Sequence, residues 1–334
     1  MDLPVVPPLP PMLGKLAREL PVGDYLYEPK WDGFRCLAFR CGGDVDLRSR
    51  NDRPLARYFP EVVEALAALP EQRFVLDGEI VADAFARLLA RLHPAASRVE
   101  RLRRETPASF VAFDLLAAGD EDLRGRPFRE RRSRLQELLA EAPAPLRVTP
   151  ATGSLEVAND WLDRYEGVLA KHRELRYEPG TRAMVKVKRE RTIDCVVAGF
   201  RWLVERPAIS SLLLGLYGRG GELRHIGVAS SFREAQRRAL LEELRPRVVP
   251  LEGHPWEHGF LVEGSPIGRL KGAAGRWHPG EMEQDWVPVA PQLVCEVSYD
   301  ALDGDRLRHP ARFLRWRSDR DPRSCTFEQL AAAA

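Results

Sequence analysis

The sequence predicts a two-domain α+β protein, in which a mixed first domain is followed by a small β-barrel. Its 334 residues suit two domains of ordinary size, each with its own core. Up to about residue 191, short strand patterns alternate with amphipathic helix patterns. Beyond that residue, strand patterns predominate and one helix pattern is clear. We therefore expect one domain over residues 1–191 and a second over residues 192–334.

The first domain begins with a proline-rich segment, residues 4–11. This segment predicts extended chain, because each proline fixes its own φ and biases the preceding residue away from helix. Gly42-Gly43 separates two short runs and predicts a hairpin. Apolar residues then recur at helical spacing over residues 59–69, which predicts a short amphipathic helix.

Later elements of the first domain combine apolar and charged positions. Alternation over residues 74–81 predicts a strand with Asp77 and Glu79 on one face. Residues 108–116 predict another strand, and residues 127–142 predict a helix with a charged outer face. We expect the two carboxylates to face one common space.

Residues 165–191 form the most basic stretch of the chain, with eight Lys or Arg against four Glu. Alternation within this stretch places Lys186 and Lys188 on one face of a strand and Val185 and Val187 on the other. A half-buried strand beside an anionic ligand would have this pattern.

The second domain is predicted to be a small closed barrel. Its strand patterns are residues 194–200, 210–218, 223–230 and 292–300, and its helix pattern is residues 231–244. About five short strands with one helix fit such a barrel, and the OB-type barrel is the commonest module of this kind that binds nucleic acid.

Overall composition excludes some classes of protein. The 51 Lys and Arg nearly balance the 49 Asp and Glu, so any basic surface must come from local clustering. The five cysteines show no pair at zinc-site spacing and fit reduced thiols, so no structural metal is expected. No apolar run approaches the roughly 20 residues of a membrane helix, and the first residues lack a signal-peptide pattern. We expect no membrane association and a cytoplasmic protein.

Lys30, which precedes Trp31-Asp32-Gly33, is the first candidate for chemistry. Asp-Gly alone is more often a tight turn, since glycine supplies the unusual φ that turns require. A lysine that acts as a nucleophile must be neutral, whereas an unperturbed lysine has a pKa of about 10.4. Partial burial and nearby cations would favour the neutral amine. The stretch by itself leaves both interpretations open.

The stretch KWDGFR, residues 30–35, is followed by further motifs that together resemble the nucleotidyltransferase motifs of ATP-dependent DNA ligases. These motifs are residues 47–50 (LRSR), 77–80 (DGEI), 113–114 (FD), 166–169 (EGVL), 186–188 (KVK) and 307–320 (LRHPARFLRWRSDR). They occur in the order found in the family, and the resemblance covers nearly the whole chain. The short two-domain length is most similar to the small bacterial C-type ligases (LigC).

The resemblance implies a covalent nucleotidyltransferase fold, with an adenylation domain of packed antiparallel sheets and flanking helices followed by an OB-fold DNA-binding domain. It also implies that the chain seals 3′-hydroxyl/5′-phosphate nicks through a lysyl-AMP intermediate, with DNA repair as the expected role. Nicked duplex DNA is the expected partner, with other DNA-repair proteins as further candidates. We expect a monomer with a hinge near residues 189–193.

The resemblance also implies roles for individual residues. Lys30 would be the catalytic nucleophile that carries AMP. ATP and Mg²⁺ or Mn²⁺ would be the cofactors, with Asp32 and Glu166 near the metal ion. Glu28 would contact the adenine amine, and Phe113 would stack on the base.

The remaining expected nucleotide contacts are one carboxylate and six basic side chains. Glu79 would hold a ribose hydroxyl or lie near the metal ion, whereas Asp77 would serve either this site or the local turn. The expected contacts to phosphate or sugar are Arg35, Arg50, Arg182, Lys186, Lys188 and Arg317.

Two other interpretations stay open at this point. An RNA ligase or an RNA-capping guanylyltransferase shares the same lysine chemistry. From a different class, the chain would be a non-catalytic OB-fold nucleic-acid-binding protein with a degenerate nucleotide pocket. The complete set of charged motifs argues against the second interpretation, because a binding module does not need them.

Overall fold

The computed structural model describes residues 2–203, 207–257 and 286–332. The chain divides into two compact units, Met1–Arg189 and Glu190–Ala334. The first unit contains two β-sheets with flanking helices, and the second contains a closed β-barrel. The predicted α+β class is therefore confirmed. The domain boundary expected between residues 191 and 192 stays a prediction.

The strands of the first unit are β1 (Gly14–Ala17), β2 (Tyr25–Pro29), β3 (Phe34–Cys41), β4 (Asp44–Ser49), β5 (Arg73–Val81), β6 (Ser109–Ala118), β7 (Glu121–Asp122), β8 (Leu146–Val148), β9 (Val168–His172) and β10 (Met184–Val187). Its helices are α1 (Pro60–Ala67), α2 (Phe85–Ala90), α3 (Ala96–Glu105), α4 (Phe128–Leu138) and α5 (Leu155–Arg164). A short 3₁₀ helix, Ala56–Tyr58, precedes α1.

The smaller sheet has the strand order β1-β10-β9-β2. Strand β9 is antiparallel to both β2 and β10, with Val168 opposite Pro29 on one side and Val187 on the other. Strands β2 and β10 therefore end at the edge where β9 begins. This edge brings together the residues that follow β2, precede β9 and follow β10.

The larger sheet has the strand order β4-β3-β5-β6-β7, and β8 pairs with β6. Gly42, with φ of 62°, lies in the two-residue connection between β3 and β4, which confirms the predicted hairpin. The helix predicted over residues 59–69 is α1, and it packs on one face of the sheet through Val62 and Leu66. Aromatic and aliphatic residues on β5 and β6 complete this core.

The proline-rich first segment lies against the other face of the larger sheet. Leu3, Val5 and Met12 are buried there with Phe39 and Leu116. Residues 4–11 contain neither helix nor strand and bend at residues 4, 5, 7 and 8, so the prediction of extended chain was wrong at these bends. The apolar residues of the segment belong to the core of the first unit.

Helix α4 has the predicted charged outer face, but it also buries two arginines. Arg131 is fully buried and its guanidinium pairs with buried Asp114 at 2.7 Å. Arg132 is also buried, and it pairs with Glu28. The sequence prediction did not include these two buried residues, whose charges are compensated by carboxylates on β6 and β2.

The second unit contains β11 (Arg191–Trp202), β12 (Ile209–Tyr217), β13 (Leu223–Ser230), β14 (Val287–Tyr299), β15 (Leu302–Asp303), β16 (Arg306–Leu307) and β17 (Ala311–Trp316). Its helices are α6 (Glu234–Leu244) and α7 (Glu328–Ala332), with short 3₁₀ helices at Arg245–Arg247 and Pro322–Ser324.

The barrel closes in the order β11-β12-β13-β17-β14. Closure depends on β17, which pairs parallel to β13 and antiparallel to β14. The four strand patterns recognised in the sequence correspond to β11 to β14, and the fifth strand lies within the closing motif, residues 307–320. The predicted closed barrel is confirmed.

Across the part of the chain that the structure describes, no helix combines the length and the apolar character needed to cross a membrane.

Arg91 at the end of α2 joins several segments of the first core. It is fully buried and pairs with Glu61 through both carboxylate oxygens, at 2.7 and 2.9 Å. It also donates to the carbonyl oxygens of Tyr58 and Thr106. One side chain therefore connects α2 with the start of α1 and the end of α3.

Arg91→Met should lower the free energy of unfolding by about 3–5 kcal/mol, because it leaves the mostly buried carboxylate of Glu61 without its cation. Urea denaturation measures the change. Arg87→Met is the matched control, since Arg87 lies on the same helix in an exposed ion pair with Asp83, and it should change stability by less than about 1 kcal/mol. Equal losses in both variants would contradict a role for Arg91 in the core.

Candidate active site

Lys30 lies at the edge of the smaller sheet, directly after β2. Its backbone N–H donates to the carbonyl oxygen of Gly167 at 2.8 Å, which extends the pairing of β2 with β9 by one residue. A Cβ atom on Gly167 would lie 2.4 Å from the carbonyl oxygen of Val187. Only glycine fits between these strands, because the backbones approach so closely there.

Glu166 lies between two lysines at this edge. One carboxylate oxygen contacts Nζ of Lys30, and the other accepts a hydrogen bond from Nζ of Lys188 at 2.5 Å. The three side chains are 13 to 25% exposed. Burial alone would raise the pKa of Glu166, but the charge of Lys30 and the hydrogen bonds from both lysines outweigh it, so this pKa is lowered. Glu166 therefore fixes the positions of both amines.

Lys186, on β10, adds a further positive charge. Its pKa is lowered by burial first and then by the positive charges of Lys188 and Lys30. The side chain lies against Gly14 of β1, where a Cβ atom would be 3.1 Å from the Cβ of Lys186. The edge therefore has an excess of positive charge that an anionic ligand such as phosphate would stabilise.

Gly33, the glycine of the KWDG stretch, lies in the connection between the smaller sheet and the larger one. Asp32 is half-buried in the connection between β2 and β3, and Gly33 forms a bend there. A Cβ atom on Gly33 would lie 2.1 Å from the carbonyl oxygen of Ile80 on β5. The sequence explained this glycine by the φ of a turn, whereas the structure explains it by close backbone approach.

Arg35 on β3 is held by Asp77 on β5. The guanidinium donates to both carboxylate oxygens, at 2.7 and 2.6 Å, and also to the carbonyl oxygen of Met12 at 3.0 Å. Tyr177 donates its hydroxyl hydrogen to the same carboxylate at 2.7 Å. Asp77 is therefore a fully buried anchor for Arg35, and Tyr177 is a member of the site that sequence reasoning missed.

Glu79 lies opposite Arg35 in the pairing of β3 with β5. Burial raises its pKa to about 8, an effect that the positive charges of Arg35 and Lys30 oppose and the negative charges of Asp77 and Glu166 assist. A large fraction of Glu79 is therefore protonated at neutral pH. In that form the carboxyl group can donate a hydrogen bond as well as accept one.

Phe113 on β6 is 5% exposed, and the predicted stacking on adenine stays a prediction. The guanidinium carbon of Arg35 lies 4.7 Å from its ring centroid, and Nζ of Lys171 lies 5.0 Å from it. Lys171 also donates to the carbonyl oxygen of Phe113 at 2.9 Å. Stacking of a purine on this ring would require neighbouring side chains to rearrange.

Glu28 on β2 is 1% exposed and pairs with two cations, Arg132 at 3.0 Å and Lys171 at 2.8 Å. Sequence reasoning missed both cations. A signal for Arg132 was present, because it lies on the same face of α4 as Phe128, Arg131 and Leu135, at the i, i+3, i+4, i+7 spacing of a core-facing stripe. A basic residue on such a stripe predicts a buried carboxylate partner.

Two predicted arginines of the first unit are exposed. Arg50 directly follows β4, and Arg182 lies two residues before β10. The charge of Arg182 contributes to the lowered pKa of Lys186. Their predicted contacts to phosphate or sugar stay predictions.

Arg317 belongs to the second unit and directly follows β17. One nitrogen donates to both oxygens of Asp194, at 3.1 and 3.0 Å, and two others donate to Asp319 at 2.9 Å each. The hydrogen bonds from Arg317 lower the pKa of Asp319 to about 2. Arg320 also reaches Asp194 at 3.2 Å. Sequence reasoning missed Asp194, the buried acid that holds both arginines.

The predicted metal ligands do not form a multi-acid cluster. In residues 2–203, 207–257 and 286–332, no group of three or more His, Cys, Asp or Glu side chains could hold a metal ion. Glu166 is engaged by lysines, and Asp32 is half-buried in the bend next to Lys30. Their role as metal ligands stays a prediction.

Gly33→Ala should lower the free energy of unfolding by about 1–3 kcal/mol, because the added methyl group collides with the backbone of β5. Gly43→Ala is the matched control, since a Cβ atom there would meet nothing within 4 Å. It should stay within about 1 kcal/mol of wild type. Urea denaturation compares the two, and equal stability of both variants would contradict the close packing of Gly33.

Glu79→Gln should stabilise the protein increasingly as pH rises from 5 to 8. The unfolded side chain loses its proton near pH 4.3, whereas the folded one keeps it up to about pH 8, so wild-type stability falls across this window. Glutamine lacks this penalty.

The gap in melting temperature should grow by at least about 2–4 °C between pH 5 and 8, the effect of roughly 1 kcal/mol in a domain of this size. It should level off above pH 8. Thermal unfolding without nucleotide measures the gap, and exposed Glu141→Gln is the control. A gap that is constant with pH would contradict the raised pKa of Glu79.

Comparison with known protein families assigns both units. Residues 11–188 match the family described as the ATP dependent DNA ligase domain, and residues 205–320 match the ATP dependent DNA ligase C terminal region.

Curated relatives match almost end to end. The chain is 50% identical to DNA ligase C2 of Mycolicibacterium smegmatis and 48% identical to DNA ligase C of Mycobacterium tuberculosis. Each match covers 99% of this chain and 96% of the relative. A solved structure from a study of Lig E DNA ligases has a TM-score of 0.55 at 20% identity, covers 92% of this chain and 99% of that one, and supports the fold. The chain belongs to the ATP-dependent DNA ligase family.

Proposed function

We propose that this protein is an ATP-dependent DNA ligase that seals nicks between a 3′-hydroxyl and a 5′-phosphate, with Lys30 as the carrier of AMP. The observation that supports it most is the meeting of Lys30, Glu166 and Lys188 at one edge of the smaller sheet. These residues come from three motifs that are far apart in the sequence. Their convergence gives a lysine nucleophile beside positively charged groups suited to phosphates.

The first step of the proposed reaction is attack of Lys30 on ATP. The ammonium group of Lys30 first loses one proton to solvent. The neutral Nζ then forms a bond to the α-phosphorus, the bond from that phosphorus to pyrophosphate breaks, and Nζ loses a second proton to solvent. Lys186 and Lys188 are proposed to meet the charge of the phosphates. Lys30 must leave its contact with Glu166 as its charge is lost. Glu166 then retains Lys188 as its partner.

Glu166 and Asp32 are the proposed ligands of Mg²⁺ or Mn²⁺. A hard cation commonly takes one or two carboxylates and completes its shell with water and substrate phosphate oxygens, so a larger acidic cluster is not required. When bound, the ion would neutralise phosphate charge. The carboxylate chemistry of these two residues fits such an ion.

In the proposed later steps, AMP passes from Lys30 to the 5′-phosphate of the nick. The 3′-hydroxyl then attacks that phosphate, forms the new phosphodiester bond and releases AMP. Arg35, Arg50, Arg182 and Glu79 are proposed contacts to the phosphates or sugar, and Glu28 and Phe113 are proposed contacts to adenine. Arg317, on the second unit, is a proposed contact to the phosphates of ATP.

The second unit is proposed to bind duplex DNA through its barrel. Residues 189–193 are the proposed hinge, which would let Arg317 approach ATP in the first step and withdraw for the later ones. DNA binding by Lys and Arg would be sensitive to salt and largely independent of sequence. We further propose a cytoplasmic monomer that acts in DNA repair.

Lys30→Ala should abolish the covalent label that the wild-type protein acquires from α-labelled ATP with Mg²⁺, as seen after denaturing electrophoresis, because no other group receives AMP. Lys15→Ala, at an exposed lysine on β1, is the control and should keep the label. If Lys30→Ala loses only the ability to accept AMP, it should still seal a nick whose 5′ end is already adenylated. Equal labelling of Lys30→Ala and wild type would reject the mechanism.

Substrate class is tested with the same wild-type protein. Nicked DNA with ATP should give a sealed strand, whereas RNA ends or GTP should give little product. Preference for RNA ends would indicate an RNA ligase, and preference for GTP would indicate a capping-type enzyme. Binding of DNA without any covalent label would indicate a non-catalytic module.

A further inference from the structure

Glu28, Arg132 and Lys171 form a buried cluster next to the proposed nucleotide site. Arg132 donates to one carboxylate oxygen of Glu28 at 3.0 Å, and Nζ of Lys171 lies 2.8 Å from the other oxygen. The side chains of Glu28 and Lys171 are 1% exposed, and that of Arg132 is 7% exposed. Burial of three charges is costly unless their geometry is well defined, so their positions are strongly constrained.

The cluster is anchored to the residues around Lys30. Arg132 also donates to the carbonyl oxygen of Thr149, whose hydroxyl oxygen accepts a hydrogen bond from the indole of Trp31 at 2.9 Å. Lys171 donates to the carbonyl oxygen of Phe113. The two cations therefore link Glu28 to the backbone of the proposed base-stacking residue and to the neighbour of Lys30.

Glu28 retains hydrogen-bonding capacity in this arrangement. Its oxygen Oε2 is buried and makes no hydrogen bond among the described residues, because the approach of Lys171 has the distance of an ion pair without the direction of a hydrogen bond. A buried acceptor without a donor is unfavourable, and a ligand that supplies an N–H group would satisfy it. Adenine presents such a donor in its exocyclic amine, whereas guanine presents a carbonyl oxygen at the same position.

We infer that Arg132 and Lys171 are positioning residues that hold the Glu28 carboxylate against the nucleobase and thereby set the preference for adenine over guanine nucleotides. This inference rests on the proposed function, because it concerns the nucleotide that reacts with Lys30. Fixing an acceptor against an amine discriminates strongly, since the wrong base leaves buried polar groups facing each other without a hydrogen bond. If Glu28 were free to turn, much of that penalty would be lost.

The test compares kcat/KM for labelling of Lys30 by α-labelled ATP and by α-labelled GTP. In Arg132→Met and Lys171→Met, the ratio of the ATP value to the GTP value should fall by about tenfold or more. The fall should come mainly from a higher KM for ATP, with a smaller change in kcat. A purely structural role would lower activity with both nucleotides in proportion.

Arg131→Met is the matched control. Arg131 is the neighbouring residue on α4, is equally buried and pairs with Asp114 on β6. Its replacement should destabilise the protein to a similar extent but keep the ATP to GTP ratio within about twofold of wild type. Arg132→Lys keeps the positive charge but lacks the planar guanidinium group, so its ATP to GTP ratio should lie between those of wild type and Arg132→Met. This variant still tests the inference if Arg132→Met does not fold.

Chemical rescue gives a second measurement. Arg132 lines a cavity of about 550 Å³ together with Leu26 and Thr149, so truncation to alanine opens space that a small cation can enter. Guanidinium chloride at low millimolar concentration should partly restore the ATP to GTP ratio of Arg132→Ala. Equal sodium chloride should not restore it, and Arg131→Ala should show no such response.

The outcomes separate this inference from the proposed function. Absence of label on wild type with either nucleotide would reject the proposed function. Labelling of wild type together with an unchanged ATP to GTP ratio in Arg132→Met, Lys171→Met and Arg132→Lys would overturn the role of the two cations. Glu28→Gln should lower the ratio as well, and combining it with Arg132→Met should add little, because both changes act through one carboxylate.

Discussion

The pairing of β9 with both β2 and β10 is the interaction on which the candidate site depends. Antiparallel pairing places the end of β2, the start of β9 and the end of β10 at one edge of the smaller sheet. Lys30, Glu166 and Lys188 follow directly from that register. A shift of one residue in either strand pair would turn these side chains to the other face and separate the amine from its carboxylate.

Glycine allows this register and connects it to the larger sheet. Gly167 leaves room for the carbonyl oxygen of Val187, and Gly33 leaves room for that of Ile80. The two contacts fix the backbone on each side of Lys30, so the nucleophile is placed by rigid sheets even though its own segment is a bend. The KWDG stretch is therefore a packing motif as much as a turn.

Buried charge is the second constraint on the first unit. Three ion pairs have a carboxylate that is at most 1% exposed: Arg35 with Asp77, Arg131 with Asp114 and Arg132 with Glu28. Such pairs contribute less to stability than to a defined arrangement, because desolvation offsets much of their attraction. In the second unit Asp194 plays a comparable part, since it holds Arg317 and Arg320 in place at the end of the barrel. Buried acids therefore hold the arginines of the motifs in defined positions.

The sequence by itself determined the α+β class, the hairpin at Gly42, the closed barrel and the family, because these follow from local periodicity, glycine pairs and motif order. It also indicated Lys30 and Glu166 as candidates. Only the tertiary structure decided which acids pair with the buried Arg131 and Arg132, that Asp77 and Tyr177 anchor Arg35, and that Asp194 holds Arg317. Each of these depends on a partner distant in the chain, and local sequence patterns do not specify which buried acid compensates which buried base.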